Sequence, residues 1–376
     1  VSVDVLIAGG GLAGSLAAWR IATLHPTASL LLLEAGATLG GNHTWSFHDS
    51  DISPDQRTWL QPLITAQWPR HEVRFPAYTR VLDGGYATVT ADRLHAVIAP
   101  ALGTRLRLSA PVRAVDAHGA DLHDGTRVPA RLVIDARGGG PEHLPMGWQS
   151  FLGQEVRLTR PHGLQWPILM DATVEQRGGY RFIYVLPFTA DTLLIEDTYY
   201  IDGPAIDADH CRAAIAAYAH AQGWAIAEVL REEAGALPIP LGGRLDDFWG
   251  LSAAVPLGVR AGLFQPTTGY SLGEAVATAW LIADAHPGDA HGVYSLVKQH
   301  AMARWQAGGF NRLLNRWLFR AAEPTRRRVI FEQFYRRAEP TIARFYAGRL
   351  TWPDRLRLLT GRPPVPVSRA LAHLRS

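Results

Sequence analysis

Residues 4–34 read DVLIAGGGLAGSLAAWRIATLHPTASLLLLE, and this stretch decides the fold: an apolar run, a glycine-rich turn, a helical pattern, a second apolar run and a terminal acid. Gly9, Gly11 and Gly14 stand in the spacing G-x-G-x-x-G, directly after the apolar run and directly before a helical pattern from Ser15 to Leu24. Glycine at these points permits the tight turn, the close approach of backbone to a pyrophosphate, and close packing of helix on strand. The helix N-terminus, reached through Leu12 and Ala13, offers free N–H groups and a positive dipole end to phosphates. Glu34 closes the second apolar run, where an acid accepts a hydrogen bond from a ribose hydroxyl. An acid there prefers a free 2′-hydroxyl to a 2′-phosphate, which favours FAD or NAD over NADP. The stretch therefore reads as a βαβ unit gripping a dinucleotide.

Working outward, the chain has 376 residues, 47% of them hydrophobic, enough to bury a large core and to form two interlocked domains. Cys211 is the single cysteine, so no internal disulfide forms. The first residues run straight into a strand and not into a charged, cleavable leader, and the expected compartment is a reducing cytoplasm. No run of eighteen or more apolar residues is uninterrupted, so membrane contact, if made, is expected to be peripheral. No metal site is expected.

Charge is unevenly spread. Residues 301–376 hold sixteen arginines against four acids, a net +12 inside a chain whose total is +3. Between Phe310 and Phe319, apolar residues at 310, 313, 314, 317 and 318 share one helical face, with Arg312, Arg316 and Arg320 beside it. A second stretch, Arg326 to Arg337, again mixes arginine clusters with Phe331, Phe334 and Tyr335. Such helices lie in a bilayer interface with arginines on anionic head groups, or they are core-facing helices with a solvated basic rim. No nucleic-acid-binding motif accompanies the charge, and nucleic acid ranks last as a partner.

Along the chain, residues 40–49 (GGNHTWSFHD) read as a loop near the cofactor, 73–86 as short strands and 92–102 as a helix. Residues 105–115 and 119–128 read as strands of a small meander, and 131–140 (RLVIDARGGG) as a strand ending in Asp135 whose Arg137 and Gly138 return to the nucleotide. Period-two runs at FLGQEVRL, GYRFIYVLPF and TLLIEDTYYI predict strands, the last two joined as a hairpin. Residues 208–222 and 226–233 read as helical, 238–243 (PIPLGG) as a turn, and 260–279 as a strand end, a loop and a helix opening near Ser271 or Leu272. From Leu281 onward the chain reads as mainly helical, with RPPVPV an extended or mobile tail.

Taken in order, GGGLAG, GGNHTWSFH, VIDARG, FLGQEV, RFIYVLPF, LLIEDTYY, IPLGG and GLFQPTTGYSLGEAV resemble the corresponding segments of bacterial lycopene β-cyclases, flavoproteins related to the aromatic-hydroxylase type of FAD fold. The resemblance implies an α/β fold: an FAD-binding Rossmann-like domain over 1–150 completed by 238–285, an inserted antiparallel β-sheet substrate domain over 151–237, and a helical, Arg-rich, membrane-contacting region over 286–376. It implies that the βαβ unit, Asp135, Arg137 and Gly138, and Thr268, Gly269, Tyr270 and Ser271 embrace FAD. Redox relatives carry a Gly-Asp pair before the Pro-Gly loop; this chain has Gly262-Leu263, as the cyclases do.

The resemblance also implies that Glu196 donates a proton to the terminal double bond of lycopene, with Asp197 assisting by tuning its neighbour or taking the returned proton. An alkene is a poor base, so the donor must be a carboxylic acid kept protonated near neutral pH by desolvation. Successive strand residues face opposite sides, so the two acids do not aim at one atom. Tyr180, Phe182, Tyr184, Trp166 and Trp45 are candidate aromatic faces for a carbocation. In the family, FAD acts in reduced form with NAD(P)H as reductant. The implied partners are lycopene and related carotenoids, anionic lipid, and other carotenoid enzymes, at the cytoplasmic side of the bacterial inner membrane. A monooxygenase or prenyl-chain reductase of similar fold, and a non-catalytic flavin and lipid carrier, are the competing readings.

Overall fold

Val5, Leu6, Ile7 and Ala8 are fully buried, so the first strand, Val3–Ala8, is covered on both faces, as a central parallel strand must be. It pairs in parallel with Leu30–Leu33, Val5 opposite Leu30, and with Arg127–Asp135, Val5 opposite Leu132. The helix Leu12–Leu24 crosses between the first two strands and packs against the helix Leu272–Asp284, their apolar sides meeting in one core with Phe47, Leu94 and Trp249. Antiparallel strands Gly119–Leu122 and Val112–Asp116 continue this sheet beyond Arg127–Asp135. The chain in this computed structural model is described over residues 2–140, 144–250, 252–285, 289–360 and 365–374.

A second sheet runs in the order Ile226–Pro240, Met146–Leu158, Thr192–Ile201, Tyr180–Pro187, Ile168–Asp171, His71–Phe75, Tyr78–Leu82. The hairpin predicted between Tyr180–Pro187 and Thr192–Ile201 is present, with Tyr184 opposite Glu196. Both of its faces are covered. Phe182, Tyr184, Leu194 and Tyr200 join a core shared with C-terminal helices, while Ile183, Val185, Ile195 and Tyr199 join another core under the helix Ala208–Ala221. Substrate-sheet strands come from two separate parts of the chain, since His71–Leu82 precedes the meander, and the strand Met146–Leu158 runs through position 150.

Several local expectations are corrected. Residues 226–233 are not helical; they open the long edge strand Ile226–Pro240, paired with Met146–Leu158. Alanine, glutamate and arginine favour a helix, but pairing along the whole neighbouring strand outweighs intrinsic propensity. Pro238–Pro240 ends that strand, so the PIPLGG turn starts only at Leu241; proline is tolerated because the strand is an edge. Residues 40–49 are not all loop, because Thr44–His48 pairs with Tyr86–Thr90. In the RPPVPV tail, 362–364 lie outside the described residues, Val365 is buried and Pro366 is extended, and the helix Val367–Ala372 follows.

The basic C-terminal helices are turned inward. Helix Gly309–Arg316 buries Asn311 and Asn315, whose amides donate to Thr267 Oγ1 at 3.2 Å and to the Pro240 and Pro266 carbonyls at 3.0 and 2.7 Å. Arg312 donates to the Trp305 carbonyl at 2.6 Å, Arg316 to those of Leu241 and His373 at 2.7 and 3.1 Å, and Arg320 pairs with Asp202 at 3.4 Å. Arg327, 1% exposed, donates to the carbonyls of Tyr200 and Phe319. Arg327 thereby ties its helix to the substrate sheet at Tyr200. Among the described residues, no helix is long and apolar enough to cross a membrane.

Candidate functional site

A cavity of about 640 Å³ runs from the glycine-rich turn to the hairpin, lined at one end by Gly9, Gly11, Leu12, Ala13 and Glu34 and at the other by Phe182, Tyr184, Glu196 and Tyr200. Between them lie Arg137, Gly138, Thr268, Gly269, Tyr270 and Ser271. Tertiary folding thus gathers segments distant in sequence along one channel.

At the dinucleotide end each glycine has its own reason. Gly9 has φ +105°, and a Cβ there would meet the Ala136 carbonyl oxygen at 2.4 Å. A Cβ on Gly14 would lie 2.0 Å from the Gly9 carbonyl oxygen, so Gly14 serves helix-to-strand packing and does not line the cavity. Gly11, by contrast, faces open space, the cradle a phosphate requires. Glu34 is preset: its two carboxylate oxygens accept from the N–H groups of Gly10 at 2.6 Å and Gly36 at 2.7 Å. Asp135 also stands behind the wall, holding Arg137 through bonds of 2.8 and 2.9 Å, with Arg260 at 3.5 Å. Arg137 and Asp197 thus each have a buried partner, and only Arg137 faces the cavity.

The third wall is built by a side-chain-pinned loop. Gln265 Oε1 accepts from the backbone N–H groups of Thr267 and Thr268 at 2.5 and 2.7 Å, which presents Thr268 to Ser271 to the cavity ahead of the helix Leu272–Asp284. Gly269 has φ +73°, and a Cβ there would strike Leu237 Cβ at 2.6 Å.

At the apolar end, Glu196 is 7% exposed and accepts from Thr198 Oγ1 at 2.6 Å. Burial, then the negative charge of Glu233, pushes its carboxyl up to about 8, so it holds its proton at neutral pH. Asp197 is fully buried on the opposite face. It accepts from Arg181 at 2.7 and 3.1 Å and from the Tyr199 hydroxyl at 2.9 Å, and it does not reach the cavity. Asp197, expected to assist Glu196 by tuning it or by taking the returned proton, thus lies away from the cavity, its carboxylate bound by a guanidinium beneath the helix Ala208–Ala221, while its charge still raises the Glu196 carboxyl.

Of the expected aromatic faces, Trp45, Phe182 and Tyr184 line the cavity. Tyr180 stacks on Phe331 with ring centroids 4.2 Å apart, and Trp166 lies under Arg70; neither lines it. Sequence reading missed Tyr86, Tyr335, Tyr346 and the placement of His48. The hydroxyls of Ser46, Tyr184, Tyr86 and Tyr270 form a chain with links of 2.8, 2.9 and 3.0 Å. His48 packs edge-on to Tyr86, and burial holds it below the usual imidazole range, hence neutral. No spacing signal links these residues: the pairing of Thr44–His48 with Tyr86–Thr90 joins Ser46, His48 and Tyr86, while Tyr184 comes from the hairpin, Tyr270 from the loop before the helix Leu272–Asp284, and Tyr335 and Tyr346 from C-terminal helices.

With this geometry in place, likenesses to known proteins take on meaning. Solved structures similar to this chain include a geranylgeranyl bacteriochlorophyll reductase-like protein from Thermoplasma acidophilum, 13% identical with a TM-score of 0.63 over 100% of this chain and 99% of that one. A flavin-dependent brominase is 14% identical with a TM-score of 0.64 over 96% and 98%. At that identity they establish the flavoprotein fold. Among sequences, a lycopene beta-cyclase of Pseudescherichia vulneris is 48% identical over 98% of this chain and 96% of its own, and one of Pantoea ananas is 46% identical over 98% and 97%. Residues 4–372 match the family described as lycopene cyclase protein. The chain belongs to the lycopene cyclase family.

Proposed function

We propose that this chain closes the acyclic ends of lycopene to β-ionone rings, giving γ-carotene and then β-carotene, with Glu196 as the proton donor. The single observation that carries this reading is a buried, protonated carboxylic acid at the aromatic end of a cavity whose other end is a dinucleotide cradle. Protonation of the terminal C=C gives a tertiary carbocation, the neighbouring double bond attacks it, and loss of another proton leaves the ring. The product is an isomer of the substrate. Burial keeps the donor protonated before the reaction by disfavouring its ionised form, and Phe182, Tyr184 and Tyr200 present ring faces without a strong nucleophile.

FAD fits the residues present. Gly11 leaves an open cradle, Glu34 is fixed at a strand end with its carboxylate facing the turn, and Arg137, Gly138 and Thr268 to Ser271 line the path between. Reduced by NAD(P)H, it would supply an electron-rich surface near the cation. The protein's own groups bind, orient and exclude water.

So apolar a substrate requires contact with a bilayer, and we place this contact peripherally, on anionic lipid at the cytoplasmic face of the inner membrane. Since Arg312 and Arg316 serve internal contacts and Arg320 is paired with Asp202 at the surface, we assign that contact to the helix Trp352–Leu359, where Trp352 is 72% and Leu356 55% exposed, with Leu359 on the same side and Arg355 and Arg357 beside them. Other carotenoid enzymes would be neighbours there.

The test is to incubate the protein with lycopene in liposomes, FAD and a reductant. A product of unchanged mass with the absorption spectrum of a cyclised polyene is expected. Gain of oxygen or of two hydrogens would identify a monooxygenase or reductase instead, and no conversion would point to a carrier.

A further inference from the structure

Three neighbouring strands set Glu196, Gly153 and Glu233 in one row. Gly153 lies opposite Glu196 on one side and opposite Glu233 on the other. Residues directly opposite in antiparallel strands share a face, so Glu233 shares the face of Glu196. Gly153 places no side chain between them. Glu196 leans over this gap, since a Cβ on Gly153 would sit 3.4 Å from both its Cβ and its Cγ. Two strand spacings separate the backbones by about 10 Å, a span over which buried charges act on each other.

Glu233 is held in place from behind. It is 3% exposed, accepts from Arg231 Nη1 at 2.5 Å and from Thr44 Oγ1 at 3.0 Å, and Arg231 Nη2 in turn donates to Thr44 Oγ1 at 2.9 Å. Arg231 also pairs with Glu155 at 3.3 Å, so one guanidinium serves two carboxylates and the cluster stays negative.

We propose that Glu233 is a positioning residue for the ring-closing acid: anchored by Arg231 and Thr44 across the Gly153 gap, its carboxylate faces Glu196 and opposes ionisation of that acid. Glu233 does not line the cavity, so it acts through Glu196 and not on substrate. The remaining groups around Glu196 do not substitute for it. Thr198 donates from the same strand, which favours the ionised form; Tyr184 and Tyr270 face it as neutral hydroxyls from the neighbouring strand and the loop; Asp197 points away, tied to Arg181, and its charge opposes ionisation of Glu196 less than that of Glu233 does. Burial acts first on Glu196, and the charge of Glu233 second.

The inference rests on Glu196 being the acid, and the experiment separates the two. The pH dependence of kcat on lycopene in liposomes is measured for the unaltered protein, Glu233→Gln, Glu233→Asp and Glu196→Gln, with flavin retention read by absorbance. Glu233→Gln is expected to move the alkaline fall of kcat about one pH unit lower, and Glu233→Asp to restore most of that shift. An unmoved fall in flavin-loaded Glu233→Gln overturns the role of Glu233, while an inactive Glu196→Gln leaves the acid reading standing. Full turnover by Glu196→Gln overturns the acid reading itself, and this inference with it. If Glu233→Gln does not fold, Glu155→Gln carries the test: it leaves Arg231 to Glu233 alone and should move the fall in the same direction, an unmoved fall again being the overturning result.

Discussion

Glu196 and Asp197 are consecutive in one strand, yet the first lines the cavity while the second is locked to Arg181 on the far side of the sheet, 2.7 Å from its Nε. The pleat alone imposes this division, since neighbouring strand residues point to opposite faces. It gives the two acids separate surroundings, an aromatic cavity for Glu196 and a buried ion pair for Asp197.

Glu196→Gln should abolish ring formation, by about 100-fold or more, because general-acid catalysis contributes on that scale. In the unaltered protein turnover should fall as pH rises through about 8, where Glu196 loses its proton. The same group has a stability signature. Between its ordinary value of 4.5 and about 8 the folded chain keeps a proton that the unfolded chain releases, so the contribution of Glu196 to stability falls as pH rises across that window. Urea denaturation of the Gln variant should show a flatter slope there; an unchanged slope would contradict the buried, protonated state.

Asp197→Asn should act on stability. Removing one partner of a buried pair leaves Arg181, 7% exposed on its side chain, without its counter-charge, at a cost of about 3–5 kcal/mol. Thermal or urea unfolding measures this. Ring closure by the fraction that stays folded should persist, in contrast to Glu196→Gln.

Gly14→Val should prevent flavin retention, since even a Cβ at this position would lie 2.0 Å from the Gly9 carbonyl oxygen and would force the helix Leu12–Leu24 off the first strand. Flavin absorbance after gel filtration reads the loss, and a retained stoichiometric flavin would show that the turn does not hold the dinucleotide.

Trp352→Ser with Leu356→Ser should weaken flotation with anionic liposomes several-fold, as expected when two exposed apolar anchors are removed from an interfacial helix. Arg312→Gln should chiefly lower stability, because that side chain caps the Trp305 carbonyl. The opposite pattern would return the lipid contact to the Arg312 helix.

What the sequence by itself determined is local. The βαβ unit was legible because its glycines, its strands and Glu34 all fall within residues 4–34, where spacing and period report geometry directly. The hairpin carrying Glu196 was legible for the same reason, its period of two continuing on both sides of a short turn. Tertiary structure decided the rest. Residues 226–233 carry helix-favouring side chains and become strand only because Met146–Leu158 offers a partner along its length. That pairing sets Glu233 opposite Gly153, and the bond from Thr44 to Glu233 joins residues 189 positions apart. Arg316 and Arg327, from the two stretches that looked lipid-facing, meet the carbonyls of buried Leu241 and Tyr200, whose positions no helical period encodes. Periodicity records which face of an element is apolar, whereas register and ion pairing depend on which element arrives opposite, and it is register across Gly153 that sets Glu233 in one row with Glu196.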